Sequence, residues 1–225
     1  MRLPVTVLLS ATWLAVVLPD RLGASSSCGA LLGASLALGL VALDAPRVRP
    51  LGTCQSYWAV FWSLCAGVMS IHLVRLISDL SAALVGVATN SGSGSGIQGW
   101  TLAVTAVGLA PIFEEYLFRG RVLDHLVSRL GATPAVVLSA LLFSAFHVRP
   151  MLLIGSFLAG LVLGLLRIAT GSLHTCIAYH AGLNTAVLWA AAAPQPGSVV
   201  SPTLTVLSSF CLLLAMKPRG DRTTR

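Results

Sequence analysis

Apolar positions along the chain gather into runs near 3–19, 28–43, 56–77, 101–128, 134–148, 150–168, 172–193 and 199–216, a few of them short. A helix needs about 17–25 predominantly apolar residues to cross the hydrocarbon core of a bilayer. The pattern therefore predicts an all-α fold, a polytopic transmembrane bundle of about eight helices. Turn formers and helix-ending prolines punctuate the runs: Pro19-Asp20-Arg21, Asp44-Ala45-Pro46-Arg47, Gly131-Ala132-Thr133-Pro134, Arg149-Pro150, Gly171-Ser172 and Pro194-Gln195-Pro196-Gly197. The stretch Asn90 to Gly96 alternates Ser and Gly and reads as a flexible, solvated loop. It separates peripheral helices in 1–100 from a core in 101–193, which is followed by a final helix and basic cytoplasmic tail in 194–225. The first run has signal-peptide features, with Arg2 ahead of it and Ala24-Ser25-Ser26 after it. Another apolar run follows at once, which favours a retained helix.

Composition agrees. Of 225 residues 56% are hydrophobic and only 9% charged, with a mean hydropathy of +0.89, whereas a soluble domain carries about a quarter charged residues. The net charge of +7 does not point to nucleic acid, because the basic residues stand singly or in pairs between apolar runs and form no basic face with interleaved aromatics. They read as topology signals. With eight spans, Arg2, Arg47, Arg49, Arg121, Arg129, Arg167, Lys217, Arg219, Arg222 and Arg225 fall on one side, and Arg21, Arg75 and Arg149 on the other. The excess marks the first side as cytoplasmic, with both termini inside. The five cysteines are scattered and form no C-x-x-C pair, so neither a disulfide nor a metal role is assigned to them.

Within this apolar background, the only two glutamates of the chain stand side by side, as Glu114 and Glu115. An ionised carboxylate in hydrocarbon persists when it is paired, locally solvated or chemically employed. Arg119, one helical turn after Glu115, is placed to pair with it. Glu114 is then left for other work. A turn at Gly131 would fold the next run back, and Glu115 and His147 lie sixteen residues on either side of that glycine, hence at one level. On a third segment His180 and Asn184, four apart, share a helix face, and both can donate to an oxygen that gains charge in a reaction. Gly182 between them allows a close approach by another backbone. Taken singly, each of these residues has a structural reading: a satisfied membrane histidine, an interhelical asparagine, a structural ion pair. Gathered at three helical sites, they point to chemistry.

The three pieces resemble the CAAX-protease and bacteriocin-processing family of intramembrane endopeptidases, also called the Abi family. Its motifs are E-E-x-x-x-R, F-x-x-x-H and H-x-x-x-N. They are matched here by Glu114-Glu115 with Arg119, Phe143 with His147, and His180 with Asn184, in order on successive apolar segments. The resemblance covers roughly 101–193. It implies hydrolysis of a peptide bond, by glutamate-activated water and without a metal, near the membrane-anchored end of a protein or peptide. Glu114 would be the general base, helped by His147. His180 and Asn184 would stabilise the oxyanion, Glu115 and Arg119 would order the site, and Phe143 would pack. The implied partners are membrane lipid and the anchored substrate, in a bacterial inner membrane.

Two glutamates and two histidines could hold a metal, but H-E-x-x-H and Glu-x-x-His spacings are absent from the sequence. A serine protease would want G-x-S-G, which is missing, and the aspartates fall mostly at segment ends or loops. A non-catalytic scaffold or immunity factor of the same fold, a metal-dependent protease and a proton-relay transporter remain as alternatives. The substrate could be a prenylated tail, a bacteriocin-type peptide or a C-terminal sorting anchor.

Overall fold

The computed structural model of the chain describes residues 57–70, 103–147, 152–192 and 202–216, with isolated positions 7, 11, 74, 76, 77 and 80. Apart from positions 7 and 11, the first two predicted segments and the Ser/Gly loop lie outside the described residues. The described residues are helical and contain no strand. Six helices cover the last six predicted runs: α1 (Tyr57–Met69), α2 (104–130), α3 (Ala132–Phe146), α4 (Leu153–Thr170), α5 (Leu173–Ala192) and α6 (Pro202–Met216). Among them α4 is long and apolar enough to cross a bilayer by itself, and α1, α3 and Val206–Met216 are shorter apolar helices. A total of eight spans is therefore not reached by the described residues.

Apolar side chains lie on the outside of the bundle as well as in its core. Leu and Val side chains of α3 (Val137, Leu138, Leu141, Leu142) and of α4 (Leu153, Leu158, Leu165) face outward, while Ser139, Ser144, Ser156, Arg167 and Thr170 of the same helices are buried. Apolar surface turned outward around an interior that also holds polar side chains suits a hydrocarbon solvent, in which polar groups must find partners inside the bundle.

Two glycines make the sharp returns. Gly131, at φ 82°, separates α2 from α3, and Gly171, at φ 64°, caps α4 and starts α5. Left-handed backbone of this kind is nearly free for glycine and strained for other residues. The α2–α3 pair is antiparallel: Leu123 packs with Ala135 and Val136 near the turn, and Phe118 meets Phe143 farther up. Helix α4 closes on α3 at Gly160, where a Cβ would stand 2.9 Å from the Ala140 Cα. Ser144 on α3 also donates to the Leu153 carbonyl of α4 at 2.6 Å. Arg167 anchors the far end of α4 by donating to the Gly171 carbonyl, and to Asp124 of α2 at 3.4 Å.

Helices α1 and α5 cross with their backbones in contact. A Cβ on Gly182 would lie 2.5 Å from the Leu64 carbonyl oxygen, and one on Gly67 would run into the Tyr179 carbonyl. Small residues at such a crossing replace the hydrophobic drive that lipid does not supply. Helix α6 joins α1 through Ser208, which donates to the Ala66 carbonyl at 3.0 Å and lies 3.1 Å from the Ser70 hydroxyl.

Helix α2 is not a plain α-helix. Two π-helical stretches, Val104–Leu109 and Tyr116–Val122, flank a short α segment, Ala110–Glu115, before α-helix resumes at Leu123–Leu130. Such i→i+5 insertions occur mostly where a helix serves a site. The paired glutamates close the short α segment between the two.

Candidate active site

The chemistry-bearing side chains converge where α2, α3, α4 and α5 meet. Glu115 and Arg119 are both fully buried, at 0% exposure. Arg119 Nη1 donates to Glu115 Oε1 at 3.0 Å. Its Nη2 donates to the Gly160 carbonyl of α4 at 3.1 Å, an acceptor brought within reach by the close α3–α4 approach at that glycine. The guanidinium also lies over the Phe143 ring, 4.5 Å from its centroid, in a cation–π contact that strengthens away from water. Phe143 presents edges to His147 at 4.8 Å and to His180 at 5.7 Å. It thus touches three groups of the site, beyond the packing expected of it. Gly160 was not singled out in the sequence, although its place among Gly155, Gly160 and Gly164 in an apolar run marks a face for close helix contact.

His180, from α5, sits between the two glutamates. Its Nδ1 is 2.8 Å from Glu115 Oε1 and its Nε2 is 3.8 Å from Glu114 Oε2. An ionised carboxylate only accepts, so the short contact assigns the proton to Nδ1. In the neutral ring Nε2 then carries a lone pair toward Glu114. Two acceptors 3.8 Å apart are satisfied together by a hydrogen donor between them. Glu114 is half-buried, its side chain 12% exposed, and its Oε2 is shielded from solvent with no hydrogen-bond donor from the protein among the described residues, as is Glu115 Oε2. Buried carboxylate oxygens without donors are rare and costly unless water serves them.

His147 follows the last turn of α3, where the backbone turns extended at φ −84° and ψ 91°. Its Nδ1 lies 3.0 Å from the Phe143 carbonyl. Among the described residues it makes no hydrogen bond or ion pair with either glutamate; the short contacts to the carboxylates come from His180. Asn184 is half-buried, and its Nδ2 donates to the Ala106 carbonyl of α2 at 2.7 Å. The hairpin and the His180 helix thus bring Glu114, Glu115, Arg119 and His180 into direct sequence of contact, with Phe143 against Arg119, His147 and His180, and with Asn184 bonded to α2.

A helical bundle with an apolar exterior and a buried carboxylate–arginine–imidazole cluster defines a membrane-protein class with an intramembrane polar site. Residues 96–186, which include every one of these side chains, match the family model described as Type II CAAX prenyl endopeptidase Rce1-like. The segment that carries the site, less than half of the chain, is thus similar to that CAAX-protease family. Members of that family are integral membrane proteases, which fits the helical, apolar build of this chain. No curated protein and no solved structure gives a significant match.

Proposed function

We propose that the chain is an intramembrane endopeptidase that uses a water molecule activated by Glu114 to hydrolyse a peptide bond near the membrane-anchored, C-terminal end of its substrate. The observation that carries the reading is the pair Glu114 Oε2 and His180 Nε2, two facing acceptors separated by 3.8 Å. A water about 2.8 Å from each atom would donate one hydrogen to each. Both of its lone pairs then point away from the two acceptors, and one of them can attack a carbonyl carbon. Glu114 takes the proton as the water attacks, and returns it to the leaving amine. Glu115 and Arg119 hold His180 in the tautomer that this requires. His147, at the C-terminal end of α3, would serve the developing oxyanion or the leaving group once substrate is bound.

The proposal needs no metal. Glu115 Oε1 is already committed to Arg119 and His180, so a metal bound there would have to displace both. Cleavage should accordingly survive exhaustive treatment with chelators. The family description supports a prenylated CAAX tail as the first substrate to try. The charge distribution supports a multi-pass membrane protein with both termini in the cytoplasm.

Comparative membrane proteomics tests the function. Deletion cells are compared with cells complemented by the wild type or by Glu114→Gln. The same uncut membrane-anchored precursors should accumulate in the deletion and in Glu114→Gln, and disappear with the wild type. If Glu114→Gln restores processing, Glu114 is not the base. If it restores a phenotype with no change in any protein terminus, the chain acts as a scaffold.

A further inference from the structure

Helix α2 changes its hydrogen-bond period at Pro111. In a π stretch the carbonyl of one residue is taken by the N–H five residues on, and Ala110 obeys this by donating to Thr105. The same rule assigns the Ala106 carbonyl to residue 111, which is proline and has no N–H to give. An open carbonyl in the interior of a bundle is a liability that native structures satisfy from elsewhere. Here the donor comes from another helix: Asn184 Nδ2 reaches the Ala106 oxygen at 2.7 Å.

We propose that Asn184 is a positioning residue, whose amide replaces the N–H missing at Pro111 and so locks α2 to α5. The two elements it joins carry the two halves of the reactive pair. Glu114 lies three residues after Pro111 on α2, and His180 lies four residues before Asn184 on α5. This hydrogen bond, together with the 2.8 Å contact of His180 with Glu115, sets the separation at which Glu114 and His180 share a water. This differs from a direct role at the oxyanion, in which Asn184 would act on the substrate and be indifferent to residue 111. The activity readout rests on the proteolytic reading above; the bond itself does not.

A double-mutant cycle separates the two. Pro111→Ala supplies the missing N–H, and Asn184→Leu removes the donor at similar size. Full-length protein in detergent is followed by thermal unfolding and by kcat and KM on a farnesylated CAAX peptide. Asn184→Leu alone should lower kcat about thirtyfold or more with KM changed less than about threefold, and should lower Tm. In the Pro111→Ala background the loss of kcat should shrink by about tenfold, a coupling of about 1.4 kcal/mol, and the loss of Tm should shrink with it. Equal losses in both backgrounds would overturn the proposal and return Asn184 to the substrate. If Asn184→Leu does not fold, Asn184→Ala, which removes the amide without adding bulk, completes the cycle. If the wild type leaves the peptide uncut, the substrate assignment fails, and coupling in Tm alone still decides the bond.

Discussion

Arg119 is held by a carboxylate, a carbonyl and an aromatic face, and each hold can be removed separately. Arg119→Met leaves Glu115 charged and buried with one donor fewer, which costs about 3–5 kcal/mol when a buried pair is broken. Glu115→Gln combined with Arg119→Met removes both charges and keeps an acceptor for His180. Thermal unfolding in detergent should therefore rank the double variant above the Arg119→Met single. Phe143→Leu keeps an apolar side chain but removes the π face 4.5 Å from the guanidinium. A desolvated cation–π contact is worth about 2 kcal/mol, so a Tm loss well beyond that of Leu141→Ala, an outward-facing residue, is expected. The Glu115–Arg119 pairing was legible in the sequence, because four residues is one helical turn and few other charges exist nearby. The second acceptor of Arg119 was not, since a glycine carbonyl 41 residues away carries no signal in a side-chain pattern.

Helix α5 holds His180 in place through its crossing with α1, and that crossing has no room for a side chain. Gly182→Ala puts a Cβ 2.5 Å from the Leu64 carbonyl oxygen and 3.0 Å from the Val68 nitrogen. Backbone atoms cannot rotate away, so the helices must separate, at a cost of about 1–3 kcal/mol for overpacking. His180 moves with α5. Gly182→Ala should thus lower both Tm and cleavage, whereas Gly108→Ala, whose Cβ would meet nothing within 4 Å, should change neither greatly. The apolar runs and the turn at Gly131 could be read from the sequence, because run length and a Gly followed by Pro134 are local signals. The π stretches in α2 could not. They depend on which carbonyls neighbouring helices satisfy, and the Asn184 bond to Ala106 joins residues 78 apart. For the same reason the sequence placed His147 level with Glu115 along the hairpin, yet could not say that the imidazole touching the carboxylates is that of His180.

At the scale of the whole molecule, the outward apolar faces and inward serines, threonines and charges set a topology that labelling can test. If the charge excess marks the cytoplasm, the turn at Gly131 faces inward. In a background with the native cysteines replaced, Thr133→Cys, on the exposed first turn of α3, should react with a membrane-impermeant maleimide only after cells are opened. Labelling of intact cells would reverse the orientation. The central claim, that Glu114 activates a water for peptide hydrolysis, is tested most directly with purified protein in nanodiscs and a peptide spanning a tail found uncut in the deletion cells. General-base catalysis contributes about 10²–10⁴-fold, and Gln keeps the size of Glu while losing the base. Glu114→Gln should cleave at least about a hundredfold more slowly than wild type at unchanged Tm. Cleavage at the wild-type rate by a folded Glu114→Gln protein would contradict the account.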